Sequence, residues 1–269
     1  MDYKRVLTIA GSDSGGGAGI QADIKTISAL GCYAASAITA ITVQNTLGVA
    51  AVHPVPADII RGQICAVLDD IGADAIKIGM LGSAEAVLAV SEALHSHEAR
   101  NVVLDPVMVS TSGHRLTEDN AVGKMCSELI PLATVITPNI PEAEVLLDGR
   151  KLQAQADLPD AVRQLAQKFG VSVLLKAGHL VEDCLVDYLY DATTGETTEL
   201  PSQRIRTRNT HGTGCTLSSA IASGLAKGET LQQAAISAKR YITEAIRSGA
   251  NLNIGHGHGP VNHFYKLCR

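Results

Sequence analysis

Short apolar, β-branched runs, each closing on a glycine, a proline or a polar residue and followed by a segment of helical periodicity, recur along the whole chain. This alternation restricts the fold more than any other feature. Runs at 6–10, 34–43, 49–52, 75–78, 102–104, 135–137 and 171–175 predict strands. Between them, Ile20, Ile24 and Ile27, then Ile60, Ile64, Val67, Leu68 and Ile71, then Val87, Val90 and Leu94 mark helices, with a short helix to Leu147 and a longer one over 158–169. Two further runs, 185–190 and 197–200, flank a turn containing Gly195 and predict an antiparallel hairpin at a sheet edge. With no linker and no internal repeat, the pattern predicts one domain over 1–269, a mostly parallel sheet flanked by helices.

Composition agrees and narrows the function. At 46% apolar and 18% charged over 269 residues, the chain can bury a sizeable core. A net charge of -5, the absence of Trp and only two Phe argue against polynucleotide binding, which needs basic patches and aromatic platforms. The apolar run at 6–10 is too short for a signal-peptide core, and no run reaches membrane length. Cys32, Cys65, Cys126, Cys184, Cys215 and Cys268 include no Cys-x-x-Cys pair, which predicts reduced thiols and a cytoplasmic protein.

The chemistry concentrates at Arg208-Asn209-Thr210-His211-Gly212-Thr213-Gly214-Cys215-Thr216. Behind it Leu217, Ala220, Ile221, Gly224 and Leu225 carry helical spacing, so the turn opens a helix. Gly212 and Gly214 leave room for backbone N–H groups to converge on an anion, aided by the helix dipole. Cys215 stands at the mouth, where a helix N-terminus favours thiolate and where it can accept a hydroxyl proton. A glycine turn with an inert cysteine is the plain structural alternative.

Other candidates sit where predicted strands end. Gly11 opens a glycine loop, 11–19, that lets a ligand approach the backbone but fits neither the Walker nor the dinucleotide fingerprint. Asp23 either faces that ligand or complements the helix dipole. Gln44 suits the edge of a heterocycle, or simply makes a turn. Met80 packs on a flat ligand or fills core. Asp105, Asn139 and Glu142 suit Mg²⁺ and its waters, although Asn139 and Glu142 also read as a helix capping box. Lys176 can reach phosphate. The tail His256 and His258 read as a flexible surface segment before a metal site.

Six stretches together resemble one family: GSDSGGGAGIQAD (11–23), KIGML (77–81), VLDPVMVSTSGHRL (103–116), TPNIPE (137–142), KAGH (176–179) and NTHGTGCTLSS (209–219). They are similar to the hydroxymethylpyrimidine/phosphomethylpyrimidine kinases of thiamine biosynthesis, in the ribokinase superfamily. The resemblance implies a ribokinase-like three-layer α/β/α sandwich and a homodimer. It also implies ATP- and Mg²⁺-dependent phosphorylation of 4-amino-5-hydroxymethyl-2-methylpyrimidine and then of its monophosphate. By position, Gly11, Asp23, Gln44, Met80 and Val107 hold the pyrimidine, Cys215 is the base, and Gly212, Thr213 and Gly214 form the anion hole. Lys176, Asn139 and Thr210 contact the nucleotide, and Asp105 and Glu142 serve the metal. Many sugar kinases of the superfamily carry Asp where Cys215 stands. A pyridoxal-preferring group has a second cysteine where this chain has Ser110, Thr111 and Ser112, which makes pyridoxal a side substrate. Ala177 replaces a frequent glycine. A pyridoxal/pyridoxine kinase of the same superfamily and a non-catalytic pyrimidine-binding homologue are the alternatives.

Overall fold

The computed structural model describes residues 3–108 and 118–267. Nine strands form one sheet: β1 (Arg5–Asp13), β2 (Tyr33–Asn45), β3 (Gly48–Pro54), β4 (Ala75–Ile78), β5 (Val102–Leu104), β6 (Val135–Ile136), β7 (Ser172–Leu175), β8 (Cys184–Asp191) and β9 (Glu196–Gln203). Their order is β3-β2-β1-β4-β5-β6-β7-β8-β9. The six strands from β2 to β7 are parallel, while β3 and the β8–β9 hairpin run antiparallel at opposite edges. One edge hairpin is expected from the sequence; the second, β2–β3, arises because β3 turns straight back at Thr46 and Leu47 onto β2.

The helices are α1 (Gly19–Ala29), α2 (Ala57–Asp70), α3 (Ala84–Ser96), α4 (Asp119–Lys124), α5 (Ile140–Leu146), α6 (Leu158–Phe169), α7 (Thr213–Ala226) and α8 (Leu231–Gly249). The parallel strands alternate between two cores. Leu7, Ile9, Ile76, Ile78, Leu104 and Val173 face α2, α3, α5 and α6, whereas Val6, Ala75, Val103, Val135 and Leu174 face α1, α7 and α8. A period of two thus gives two apolar faces and three layers.

Three departures from the sequence pattern matter. After α4 the chain winds through a π-turn at Met125–Leu129 and a 3-10 turn at Ile130–Leu132, which a scan for regular helical spacing does not catch. β1 runs three residues beyond its apolar stretch. A register shift lets Ser12 pair with Ile41 and Asp13 with Thr42, so a carboxylate ends up inside the ladder. Finally, β1 pairs with β2 on one side and β4 on the other, which places the sheet's topological switch point at the end of β1.

Candidate active site

A cavity of about 840 Å³ opens at the carboxyl ends of β1, β4, β5 and β7 and at the start of α7. The turn before α7 is built by close backbone contact. Gly212 has φ 82, and a Cβ there would lie 1.9 Å from the carbonyl oxygen of Gly17, so no other residue fits. Asn209, buried behind the turn, donates to the carbonyls of Gly249 and Leu252 and fixes it to the segment after α8. Thr213 N–H bonds to Thr210 O at 3.3 Å and Thr216 N–H to Gly212 O at 2.9 Å. Those of Gly214 and Cys215 take no protein acceptor among the described residues. Two first-turn donors therefore face the cavity mouth, a geometry suited to an anion.

Cys215 lies beside them with Lys77 below. Burial pushes its thiol up to about 11, which the Lys77 ammonium and the Gly19 amide oppose and Asp23 and Asp105 reinforce. The helix start was expected to favour thiolate; burial outweighs it, and the resting group is a thiol.

Of the residues singled out in the sequence, Gly11, Gln44, Met80, Val107, Asp105, Asn139, Glu142, Lys176, Thr210, Gly212, Thr213, Gly214 and Cys215 all line this cavity. Asp23 does not. It is wholly buried, neither facing a ligand nor standing in the first turn of α1. One oxygen accepts from Thr8 (2.6 Å) and pairs with Lys77 Nζ (2.9 Å), and the other accepts from Ser219 (2.7 Å). Both oxygens are satisfied under the cavity floor, which corrects its reading as a direct ligand contact. Ser110, Thr111 and Ser112 lie outside the described residues.

Lys176 Nζ pairs with Asp105 Oδ1 at 2.8 Å, and Thr137 donates to the same oxygen at 3.0 Å. Burial works against the lysine's charge, but Asp105 and Glu142 hold it above the usual value. Asn139 and Glu142 do form the capping box of α5, with both reciprocal bonds at 2.9 Å. Burial lifts the Glu142 carboxyl to about 7, Lys176 opposing and Asp105 adding to the shift. Among the described residues no cluster of three or more His, Cys, Asp or Glu could cage a metal. Asp105 and Glu142 are a sparse oxygen donor pair beside an anion site, and they fit Mg²⁺, which keeps most of its shell as water and phosphate oxygen.

Sequence reasoning overlooked Lys77, Asp13 and His211. Lys77 interrupts the otherwise apolar strand 75–78, and a fully buried lysine there demands an acidic partner. Asp13 accepts from the amides of Gly15 (2.8 Å), Gly17 (3.1 Å) and Ala18 (2.8 Å), and so organises the glycine loop. His211 Nε2 lies 2.8 Å from Asp13 Oδ2 and 3.3 Å from Gln44 Nε2, tying the glycine loop to the anion turn. An acid closing a strand just before a glycine run was the available signal.

The family model described as phosphomethylpyrimidine kinase matches residues 13–262. The hydroxymethylpyrimidine/phosphomethylpyrimidine kinase of Rhizobium meliloti is 49% identical over 261 residues, covering 97% of each chain. The thiamine biosynthesis bifunctional protein ThiED of Geobacter sulfurreducens is 49% identical over 258 residues, covering 96% of this chain and 52% of that protein; the chain spans about half of that relative's length. Among solved structures, an ADP complex of Bacillus subtilis pyridoxal kinase superposes with a TM-score of 0.90 at 36% identity, covering 100% of both chains. With the match extending over nearly all of its length, the chain belongs to the phosphomethylpyrimidine kinase family.

Proposed function

We propose that this chain transfers the γ-phosphoryl group of ATP to the hydroxymethyl oxygen of 4-amino-5-hydroxymethyl-2-methylpyrimidine, and then phosphorylates the monophosphate to the diphosphate used in thiamine assembly. The observation that carries this reading is the pair of unpartnered amides at Gly214 and Cys215, set beside the Cys215 thiol and between two lysines. The alcohol sits toward Gly11, Gln44, Met80 and Val107, and the nucleotide toward Thr210, Asn139 and Lys176. The hydroxymethyl oxygen bonds to the γ-phosphorus as the bond to the ADP oxygen breaks, and the hydroxyl proton passes to the Cys215 sulfur in its thiolate form, the thiol having first released its own proton to water. Such transfers ask mainly for alignment and charge neutralisation, which Lys176 and the amides of Gly214 and Cys215 supply; the Thr213 amide, expected in the anion hole, is spent on Thr210 O. Mg²⁺, reached through Asp105 and Glu142, would neutralise phosphate charge when bound.

The ADP complex of the structurally similar pyridoxal kinase supports ATP as donor and makes pyridoxal the competing alcohol. The single nine-stranded sheet supports one kinase domain, and the five free cysteines of the described chain support a reducing, cytoplasmic setting. No helix among the described residues is long and apolar enough to cross a membrane. Two copies associate as a homodimer. Product analysis with ATP and each alcohol tests the reading: mono- and then diphosphorylated pyrimidine is expected, and preferential phosphorylation of pyridoxal would overturn it.

A further inference from the structure

Asp13, Thr42, Gln44 and His211 meet in the wall of the cavity. Gln44 is fixed at its backbone, where its N–H donates to Ser14 Oγ at 2.9 Å and its carbonyl accepts from the same hydroxyl at 2.7 Å. Its side chain reaches two neighbours, with Oε1 3.1 Å from Thr42 Oγ1 and Nε2 3.3 Å from His211 Nε2. A half-turn of the amide exchanges these two atoms, and counting protons chooses between the arrangements.

The count begins at Asp13. Burial alone would raise its carboxyl, yet bonds from His211 and from the amides of Ala18 and Gly15 hold it below the ordinary value. An ionised carboxylate only accepts, so His211 Nε2 at 2.8 Å carries a proton. With its proton directed at Asp13, that nitrogen has no lone pair to accept from an amide NH₂, so the amide atom 3.3 Å away is the oxygen, which shares the N–H that Asp13 takes. At the other end, Thr42 has one hydroxyl proton and directs it to Ser12 O at 2.8 Å. The hydroxyl is left as an acceptor, which only the amide nitrogen can fill. Both ends select the same form, with the Gln44 oxygen toward His211 and the nitrogen toward Thr42. One N–H and one oxygen lone pair remain for a ligand.

We propose that Asp13, His211 and Thr42 are positioning residues that lock this orientation, so that Gln44 accepts a ring with an exocyclic amino donor beside a ring-nitrogen acceptor and rejects its oxo counterpart. An amide free to turn over would satisfy either ring edge equally, so the discrimination resides in the lock. This inference rests on the pyrimidine kinase reading above.

The test compares kcat and KM with ATP for the 4-amino-5-hydroxymethylpyrimidine and its 4-oxo counterpart, in the full-length wild type, Thr42→Val and Thr42→Ser. Thr42→Val keeps the shape and removes the acceptor. Its ratio of kcat/KM for amino over oxo is expected to fall at least about tenfold, with the oxo value rising as the amino value drops. Thr42→Ser restores the oxygen and the ratio. A fold defect would lower both values together, and that result, or an unchanged ratio, overturns the proposal. Should the wild type phosphorylate neither alcohol, the kinase reading falls on its own; calorimetric binding of the two rings to the same three proteins then decides the lock by the same ratio.

Discussion

The proton-accepting role proposed for Cys215 lies in a setting that works against it. A thiol pushed up to about 11 is ionised at pH 7 in roughly one molecule in ten thousand. A transferring phosphoryl group with a loose transition state needs little nucleophile activation until late in the step, so the small thiolate fraction suffices to collect the proton as the new bond forms. Because the value lies above the working range, the thiolate fraction grows throughout the climb from pH 7 to 9. Turnover of the wild type is therefore expected to rise with pH across that window, by up to about tenfold per unit, at saturating substrates. Cys215→Ala should lose the slope and fall by about 10²–10⁴ at pH 8, with pyrimidine affinity nearly retained. A flat wild-type profile, or an alanine variant that keeps its turnover, removes the sulfur from the proton path.

Four elements converge on the Asp23 carboxylate: β1 through Thr8, α1 through Asp23 itself, β4 through Lys77 and α7 through Ser219. The pair is wholly buried, so removing one partner strands a charge. Lys77→Met is expected to lose about 3–5 kcal/mol in urea unfolding, while Lys77→Met combined with Asp23→Asn recovers most of that. Turnover should stay low in the double variant, because the Lys77 ammonium lowers Cys215 by more than the Asp23 carboxylate raises it, and both are lost. Full activity in the double variant would make Lys77 purely structural. The elements meeting here were legible singly. The strand at 75–78 and the helix of Ile20 and Ile27 follow from apolar spacing, which reports only which face is buried. A carboxylate on that buried face looks the same in sequence whether it meets a ligand or a lysine 54 positions away. Asn139 and Glu142 were legible because their spacing is itself a mechanism, whereas Asp13 and His211 meet across 198 positions and leave no local trace.

For the molecule as a whole, the alternation of strand and helix announced the layers, but not the β2–β3 arm, whose strand runs past the core as an edge. On that arm Ile41 and Val43 share one face, at 51% and 60% exposure, opposite the exposed Ala51 and His53 of β3, with Leu47 at 69% in the turn. Apolar residues alternating outward on the edge of a sheet form a patch that a further layer can cover. In the homodimer proposed above, a second copy would supply that layer through the same patch, as closed two-fold symmetry requires. Sedimentation of the wild type at micromolar concentration is expected to give twice the chain mass. The pair Ile41→Lys and Val43→Lys should give a single chain mass with unchanged helical content, since both side chains already point to water in one copy. The patch leads directly into Gln44, so the separated variant should also show a raised KM for the pyrimidine and an unchanged KM for ATP. A monomeric wild type, or a lysine variant that still sediments as a pair, would place the dimer contact elsewhere or nowhere.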